Sequence, residues 1–239
     1  RKPSLFMSQF EADIRIRSFQ VDINKNLSIP SLLGINQERA IHHTEMLGYG
    51  KEKTLDKGYL WIITAQHFHI ERLPVYDEKI KIITYPGKQR SFFLPRYLEI
   101  VDQNGNRLVK GTTLWTLIKK ENRKILEPSD IGIHIKGEEK GTEIPPFVSL
   151  PKEDTSDQRF YRKADYSNCD LNGHINNTRY AEECLRHIPN DIVRNYPIKE
   201  IGAKYRKEVR LGEKFLVHSS SKDKTYFFKS CPFSLRLCF

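Results

Sequence analysis

Asp22-Ile-Asn24-Lys-Asn26-Leu27 and Asp170-Leu-Asn172-Gly-His174-Ile175 are two versions of one pattern, 148 residues apart in a chain of 239. Each follows an alternating run that reads as a strand, Phe10–Val21 in the first copy and Phe160–Ser167 in the second. Each precedes a helix signal. In the first copy Leu33, Ala40, Ile41, Thr44 and Leu47 fall near helical spacing, so a helix is expected over about 30–47, with Gly48 closing it. In the second, Asn176 or Asn177 can cap a stripe of Tyr180, Ala181, Cys184, Leu185 and Ile188, giving a helix over about 176–188 that Pro189 stops. Asn36 and Ala40 match Asn177 and Ala181 at an offset of 141, so the first copy holds seven extra residues before its helix pattern.

Strand-like runs follow both helices. They are 60–72, 79–86, 92–102 and 107–119 in the first copy, and 198–210, 214–219 and 225–229 in the second. Asp102-Gln-Asn-Gly-Asn106 is a hairpin turn signal between two of them. One helix with four or five antiparallel strands is an α+β module in which a sheet wraps a helix, and two such modules can pair their sheets. The expected organisation is a first module over 1–127, a linker over 128–158 and a second module over 159–239. The linker reading rests on Pro128, Pro145, Pro146 and Pro151, interspersed glycines and weak periodicity.

Composition narrows the class of protein. Apolar residues are 38% and charged residues 29%, in the soluble globular range. No run approaches the roughly 18 apolar residues of a membrane helix. Arg1 to Phe10 has no apolar core, so no signal peptide is expected. Cys169, Cys184, Cys231 and Cys238 form no CxxC pair and no zinc spacing, so a reduced, cytoplasmic chain without a metal is expected. The net charge is +10, although residues 128–158 carry seven acids against three lysines. A basic body implies an anionic partner: nucleic acid, a membrane surface, or an acidic protein or ligand.

The second copy of the pattern holds the richest chemistry. If 170–174 is extended, Asp170, Asn172 and His174 share one face, directly before a helix N-terminus that favours negative charge. That set suits acyl transfer, where an oxyanion develops. A polar loop with asparagine caps is the alternative that spacing alone leaves open. A calcium loop is excluded, because positions 6 and 12 hold Ile175 and Ala181 in one copy and Leu27 and Leu33 in the other. Further on, Glu208 shares a strand face with Lys204, Arg206 and Arg210, which by itself reads as a solvated, charge-paired face. There is no P-loop, nucleophile elbow or dinucleotide fingerprint.

Asp170-Leu-Asn172-Gly-His174-Ile-Asn176-Asn177-x-x-Tyr180 resembles the catalytic segment of acyl-acyl-carrier-protein thioesterases, whose motif runs D-x-N-x-H-x-N-N-x-x-Y. Tyr205-Arg-Lys-Glu208 resembles their downstream Y-R-R-E, at the family's spacing of 34 from His174 to Glu208. Leu32-Leu33…Gln37-Glu38-x-Ala40-Ile-His42 and Trp61-Ile-Ile-Thr…His69-Ile-Glu71-Arg72-x-Pro74 look like the family's first helix and the strand after it. The resemblance spans about residues 5–230.

It implies a double hotdog fold and hydrolysis of fatty acyl thioesters on the phosphopantetheine arm of acyl carrier protein, the step that ends fatty-acid synthesis, without a cofactor. It carries over Asp170, Asn172, His174 and Glu208 as catalytic residues, with Asn176, Asn177, Arg206 and Lys207 contacting substrate. Asn26 stands where the second copy has His174, which implies one active site per chain. The nucleophile is water activated by Glu208, or Asp170 attacking to form an anhydride. An acidic carrier protein would explain the basic charge, with Arg159, Arg162, Lys163, Lys204, Arg206, Lys207 and Arg210 close in sequence to the motifs.

Two departures stand out. Val209 follows the glutamate where many members have cysteine, so no cysteine-dependent scheme applies. Residues 230–239 do not look like the family's last turn and strand, with Pro232 unwelcome in a central strand. The rival readings are an acyl-coenzyme A thioesterase of the same fold and a non-catalytic binder of acyl ligands or nucleic acid. No nucleic-acid module is visible. A monomer or a homodimer is expected; the acyl chain length is not legible.

Overall fold

Two capped turns start the two helices. Ser28 accepts a hydrogen bond from the Ser31 backbone N–H, with Pro30 in the first turn, and opens one helix. Asn176 accepts from the Thr178 N–H and opens the other. A capped orphan donor in each first turn fixes where the helix begins. The computed structural model describes residues 8–146, 150 and 158–239. The elements are β1 (Phe10–Arg15), α1 (Ile29–Met46), β2 (Tyr59–Ile70), β3 (Lys79–Pro86), β4 (Phe93–Val101), β5 (Arg107–Lys119) and β6 (Ile125–Leu126). The second half has β7 (Gln158–Lys163), α2 (Asn177–Leu185), α3 (Asn190–Asn195), β8 (Glu200–Tyr205), β9 (Lys214–Lys222), β10 (Thr225–Ser230) and β11 (Phe233–Cys238).

All these strands belong to one antiparallel sheet ordered β1-β3-β4-β5-β2-β8-β11-β10-β9-β7, with β6 hanging on β5. The order reads alike from both ends. The first half, β1-β3-β4-β5-β2, corresponds strand for strand to β7-β9-β10-β11-β8, so the repeat expected from sequence is present as two modules. Their seam is the β2–β8 ladder, from Ala65 opposite Lys204 to His69 opposite Glu200. α1 and α2 pack side by side. One apolar core runs through both modules, with Leu32, Leu33, Phe68 and Ile70 from the first and Tyr180, Cys184, Phe215 and Phe233 from the second. A polar link also crosses the seam: His67 bonds Glu200 at 2.7 Å, and Arg236 pairs with the same carboxylate. Burial pushes the Glu200 carboxyl up, but the bonds from Arg236 and His67 prevail and hold it below its ordinary range.

Several expectations change in detail. The second helix ends at Leu185, and Pro189 introduces the separate helix α3 that the pattern had not suggested. Proline cannot donate within a helix but suits its entrance. The strand expected over 198–210 ends at Tyr205, and the chain then leaves the sheet. Residues 230–239 do form the last strand: β11 pairs with β10 on one side and β8 on the other. Pro232 sits in the turn just before it, where no N–H is required, and its carbonyl accepts from Arg206 N–H at 2.8 Å. The described part of 128–158 lies against the first module. Thr142 hydroxyl is 3.1 Å from Thr112 hydroxyl, which donates to Ile144 carbonyl at 2.6 Å. Gly141 is packed so closely that a Cβ there would lie 2.1 Å from the Tyr97 ring. Residues 147–149 and 151–157 of the expected linker lie outside the described residues.

β11 is thus central to the second module. Phe233 is 1% exposed, with its ring 4.5 Å from that of Tyr180. Phe233→Ala is expected to cost about 3–5 kcal/mol in urea unfolding. Phe19→Ala, at a residue 83% exposed, should change stability by less than about 0.5 kcal/mol. Equal effects would contradict a structural β11.

Candidate active site

The Asp170–His174 segment is a closed turn, which corrects the extended reading. Asp170 N–H donates to His174 carbonyl at 2.8 Å, Gly173 N–H to Asp170 carbonyl at 2.9 Å, and Asn172 N–H to the Asp170 side-chain Oδ1 at 2.8 Å. Gly173 has φ of 75°, a left-handed conformation that glycine adopts without steric cost. The turn is then stitched to the chain leaving β8. Ile175 N–H donates to Val209 carbonyl at 2.9 Å, and Leu211 N–H donates to Gly173 carbonyl at 3.1 Å. That pairing brings Glu208 Oε2 to 3.8 Å from His174 Nε2. Sequence alternation therefore does not set which side chains meet; the turn and its partner strand do.

The first copy repeats these bonds. Asp22 N–H donates to Asn26 carbonyl at 2.8 Å, Asn24 N–H to Asp22 Oδ1 at 2.9 Å, Leu27 N–H to Pro74 carbonyl at 2.7 Å, and Tyr76 N–H to Lys25 carbonyl at 2.8 Å. In this matched frame Asn26 stands for His174 and Leu73 stands for Glu208. The amide of Asn24 donates to the carbonyls of Val193 and Arg194 in α3, so the second module's short helix covers this turn. Neither an imidazole nor a carboxylate of the working kind occupies the first copy.

One member of the site was not found from sequence. Arg123 comes from the first module, in the turn between β5 and β6, where Lys119 N–H donates to Lys124 carbonyl at 2.8 Å. Its φ of 60° is unusual for a residue with a side chain. Its guanidinium lies 3.0 Å from Glu208 Oε2 and 3.4 Å from His174 Nε2. The only signal was a charged hairpin turn, which reads as solvent-exposed unless its partner is known.

The remaining expected residues divide. Asn176 spends its side chain on capping α2. Asn177 donates its side-chain amide to Gln37 of α1 at 3.1 Å, while its side-chain Oδ1, unlike its backbone carbonyl, is buried without a partner among the described residues. Arg206 is committed to Ser234 hydroxyl at 2.8 Å and Ser230 carbonyl at 3.4 Å. Lys207 is exposed. Beside them, Gln66 of β2 donates to the Tyr205 hydroxyl at 2.6 Å, and Tyr205 in turn donates to the Asn177 carbonyl at 3.2 Å. Burial pushes the Tyr205 phenol far up, so it stays a donor. Among the described residues, Asn172 Oδ1 and His174 Nδ1 are also buried without partners. Buried polar atoms are nearly always bonded, so each open group at this turn calls for an explanation.

Cys169 adjoins Asp170 but is not poised as a nucleophile. Burial, then the nearby Asp170 and Asp165 charges, push its thiol up. The thiolate, not the thiol, is the reactive form.

Two helix-wrapping modules in one sheet define a double hotdog, and among the described residues one of its two matched turns carries an imidazole–carboxylate pair. The chain belongs to the acyl-ACP thioesterase family: the family's N-terminal domain matches residues 7–131 and its C-terminal domain residues 151–234. An acyl-[acyl-carrier-protein] hydrolase of Cuphea viscosissima is 22% identical over 222 residues, covering 84% of this chain and 52% of its own length. The palmitoyl-acyl carrier protein thioesterase of Arabidopsis thaliana is 24% identical over 220 residues, covering 83% and 52%. The chain thus spans about half the length of these curated relatives. An acyl-ACP thioesterase from Bacteroides thetaiotaomicron superposes with a TM-score of 0.84 at 19% identity, covering 97% of this chain and 98% of that one. The 12:0-ACP thioesterase from Umbellularia californica gives 0.80 at 19% identity, covering 98% of each chain. No helix among the described residues is long and apolar enough to cross a membrane.

Cysteine labelling tests the thiol assignment. Iodoacetamide at pH 8 should modify the exposed Cys231 ahead of Cys169. Faster labelling at Cys169 would make it an activated thiol.

Proposed function

We propose that this protein hydrolyses the thioester joining a fatty acyl chain to the phosphopantetheine arm of acyl carrier protein, releasing the free acid and so ending chain elongation. The observation that carries the reading is the matched pair of turns. The same backbone bonds hold His174 opposite Glu208 in one copy and Asn26 opposite Leu73 in the other. A site kept only for structure would not need that difference. Family membership supplies the substrate class, and the reduced thiols suit a cytoplasmic setting.

The chemistry follows from the positions. Glu208 has one oxygen on Arg123, which leaves the other to take a proton from water. The water oxygen bonds to the carbonyl carbon and the carbonyl becomes an oxyanion. His174 and the side-chain N–H of Asn172, at the same turn, donate to that charge and stabilise it. The carbon–sulfur bond then breaks, and the departing thiolate takes up the proton held by Glu208. Asp170 fixes the turn through Oδ1, as Asp22 does in the first copy. That shared duty favours water over Asp170 as nucleophile.

An acyl-coenzyme A substrate presents the same scissile bond, and the carrier protein's acidity is what separates the two. Lys207 is the better probe of docking, since Arg206 also holds the β10–β11 turn. Lys207→Glu should lower kcat/KM severalfold for the carrier-protein substrate and leave a short free thioester unaffected. The difference should shrink in 0.5 M salt, which screens exposed charges. Equal losses on both substrates would remove the carrier protein from the reading.

His174→Ala and Glu208→Gln should each lower turnover of acyl carrier protein about a hundredfold or more with the fold intact by circular dichroism. The double variant should lose little beyond the worse single one, since both act on one transition state. Retained activity in both single variants would sink the site.

A further inference from the structure

Arg123 reaches across from the first module into a site otherwise built by the second. Its guanidinium nitrogen stands 3.4 Å from His174 Nε2, closer than Glu208 Oε2, which is 3.8 Å from the same ring atom. A guanidinium has donors only and keeps its charge. The ring nitrogen it faces must therefore present a lone pair, because an N–H there would point at another N–H. In a neutral imidazole the proton then sits on Nδ1. Nδ1 is the atom that is buried without a partner among the described residues, in a side chain about nine-tenths buried. Without Arg123 the obvious partner for His174 would be Glu208, which accepts only, and the proton would move to Nε2 to meet it.

We propose that Arg123 is a positioning residue that fixes the tautomer of His174, keeping Nε2 as the acceptor and leaving Nδ1–H as the open donor at the site. Resting on the hydrolase reading, this makes Nδ1–H the group offered to the developing oxyanion. The 3.0 Å bond to Glu208 Oε2 serves the same end, since it holds the carboxylate off the imidazole. The site is then incomplete in the second module alone. The β5–β6 turn, with Arg123 in its left-handed conformation, exists in the form that delivers this side chain.

The test reads the ring directly. Nitrogen-15 spectra of the full chain, with the His174 signals assigned by their loss in His174→Ala, report which ring nitrogen carries the proton. Wild type should show Nδ1–H. Arg123→Ala should shift the proton to Nε2, and Arg123→Lys, which keeps a charged donor, should retain Nδ1–H at least in part. With an acyl-carrier-protein substrate, Arg123→Ala should lower kcat about tenfold or more, with KM within about threefold, and Arg123→Lys should recover part of the loss. A wild-type Nε2–H form, or an unchanged Nδ1–H form in Arg123→Ala, overturns the assignment. If the tautomer switches as stated but wild type hydrolyses no acyl carrier protein, the assignment stands and the hydrolase reading falls.

Discussion

The β2–β8 seam is the constraint on which the rest depends. Each module alone would leave the backbone groups of its innermost strand unpaired, a liability that sheet proteins avoid. Pairing Ala65–His69 with Glu200–Lys204 removes both edges at once. It also lays α1 against α2 and merges two half-cores into one. Because the sheet is continuous, the first module's β5–β6 turn is carried to the second module's site, and α3 of the second module is carried to the first module's turn. Each module thus completes or closes the other's copy of the loop.

The two loops show how chemistry can be added to a fixed platform. Backbone hydrogen bonds, the Asp side-chain bond and the left-handed residue recur in both: Lys25 has φ of 64° and Gly173 φ of 75°. What differs is small: Asn26 against His174, and Leu73 against Glu208. The platform explains why both copies keep the aspartate, and the substitutions leave only one copy with an imidazole facing a carboxylate. Function here lies in side chains placed on a scaffold that both modules share.

The sequence revealed most of this at the level of pattern. The repeated Asp-x-Asn phrase, the helix stripes and the Asp102–Asn106 turn are local signals, and each marks the element it suggests. In that turn Asp102 Oδ1 accepts from the Asn104 and Asn106 N–H groups, at 2.9 and 2.8 Å. His174 and Glu208 were legible because motif and spacing tied them together. Arg123 was not, since its partners lie in the other module and a charged turn normally faces water. The left-handed Gly173 hid the closed form of the Asp170–His174 turn, for a period of two assumes an extended chain. Pro232 was misread because proline forbids a position in a strand but not the one just before it. α3 follows a proline that was read as a stop and is also an entrance.

We propose that each chain has one working site, at the second of two related loops. The most direct measurement is calorimetric titration with acyl carrier protein whose acyl chain is attached through a non-hydrolysable thioether. The account predicts saturation at one carrier per chain. Saturation at two per chain, or no binding at concentrations where the thioester is turned over, would contradict it.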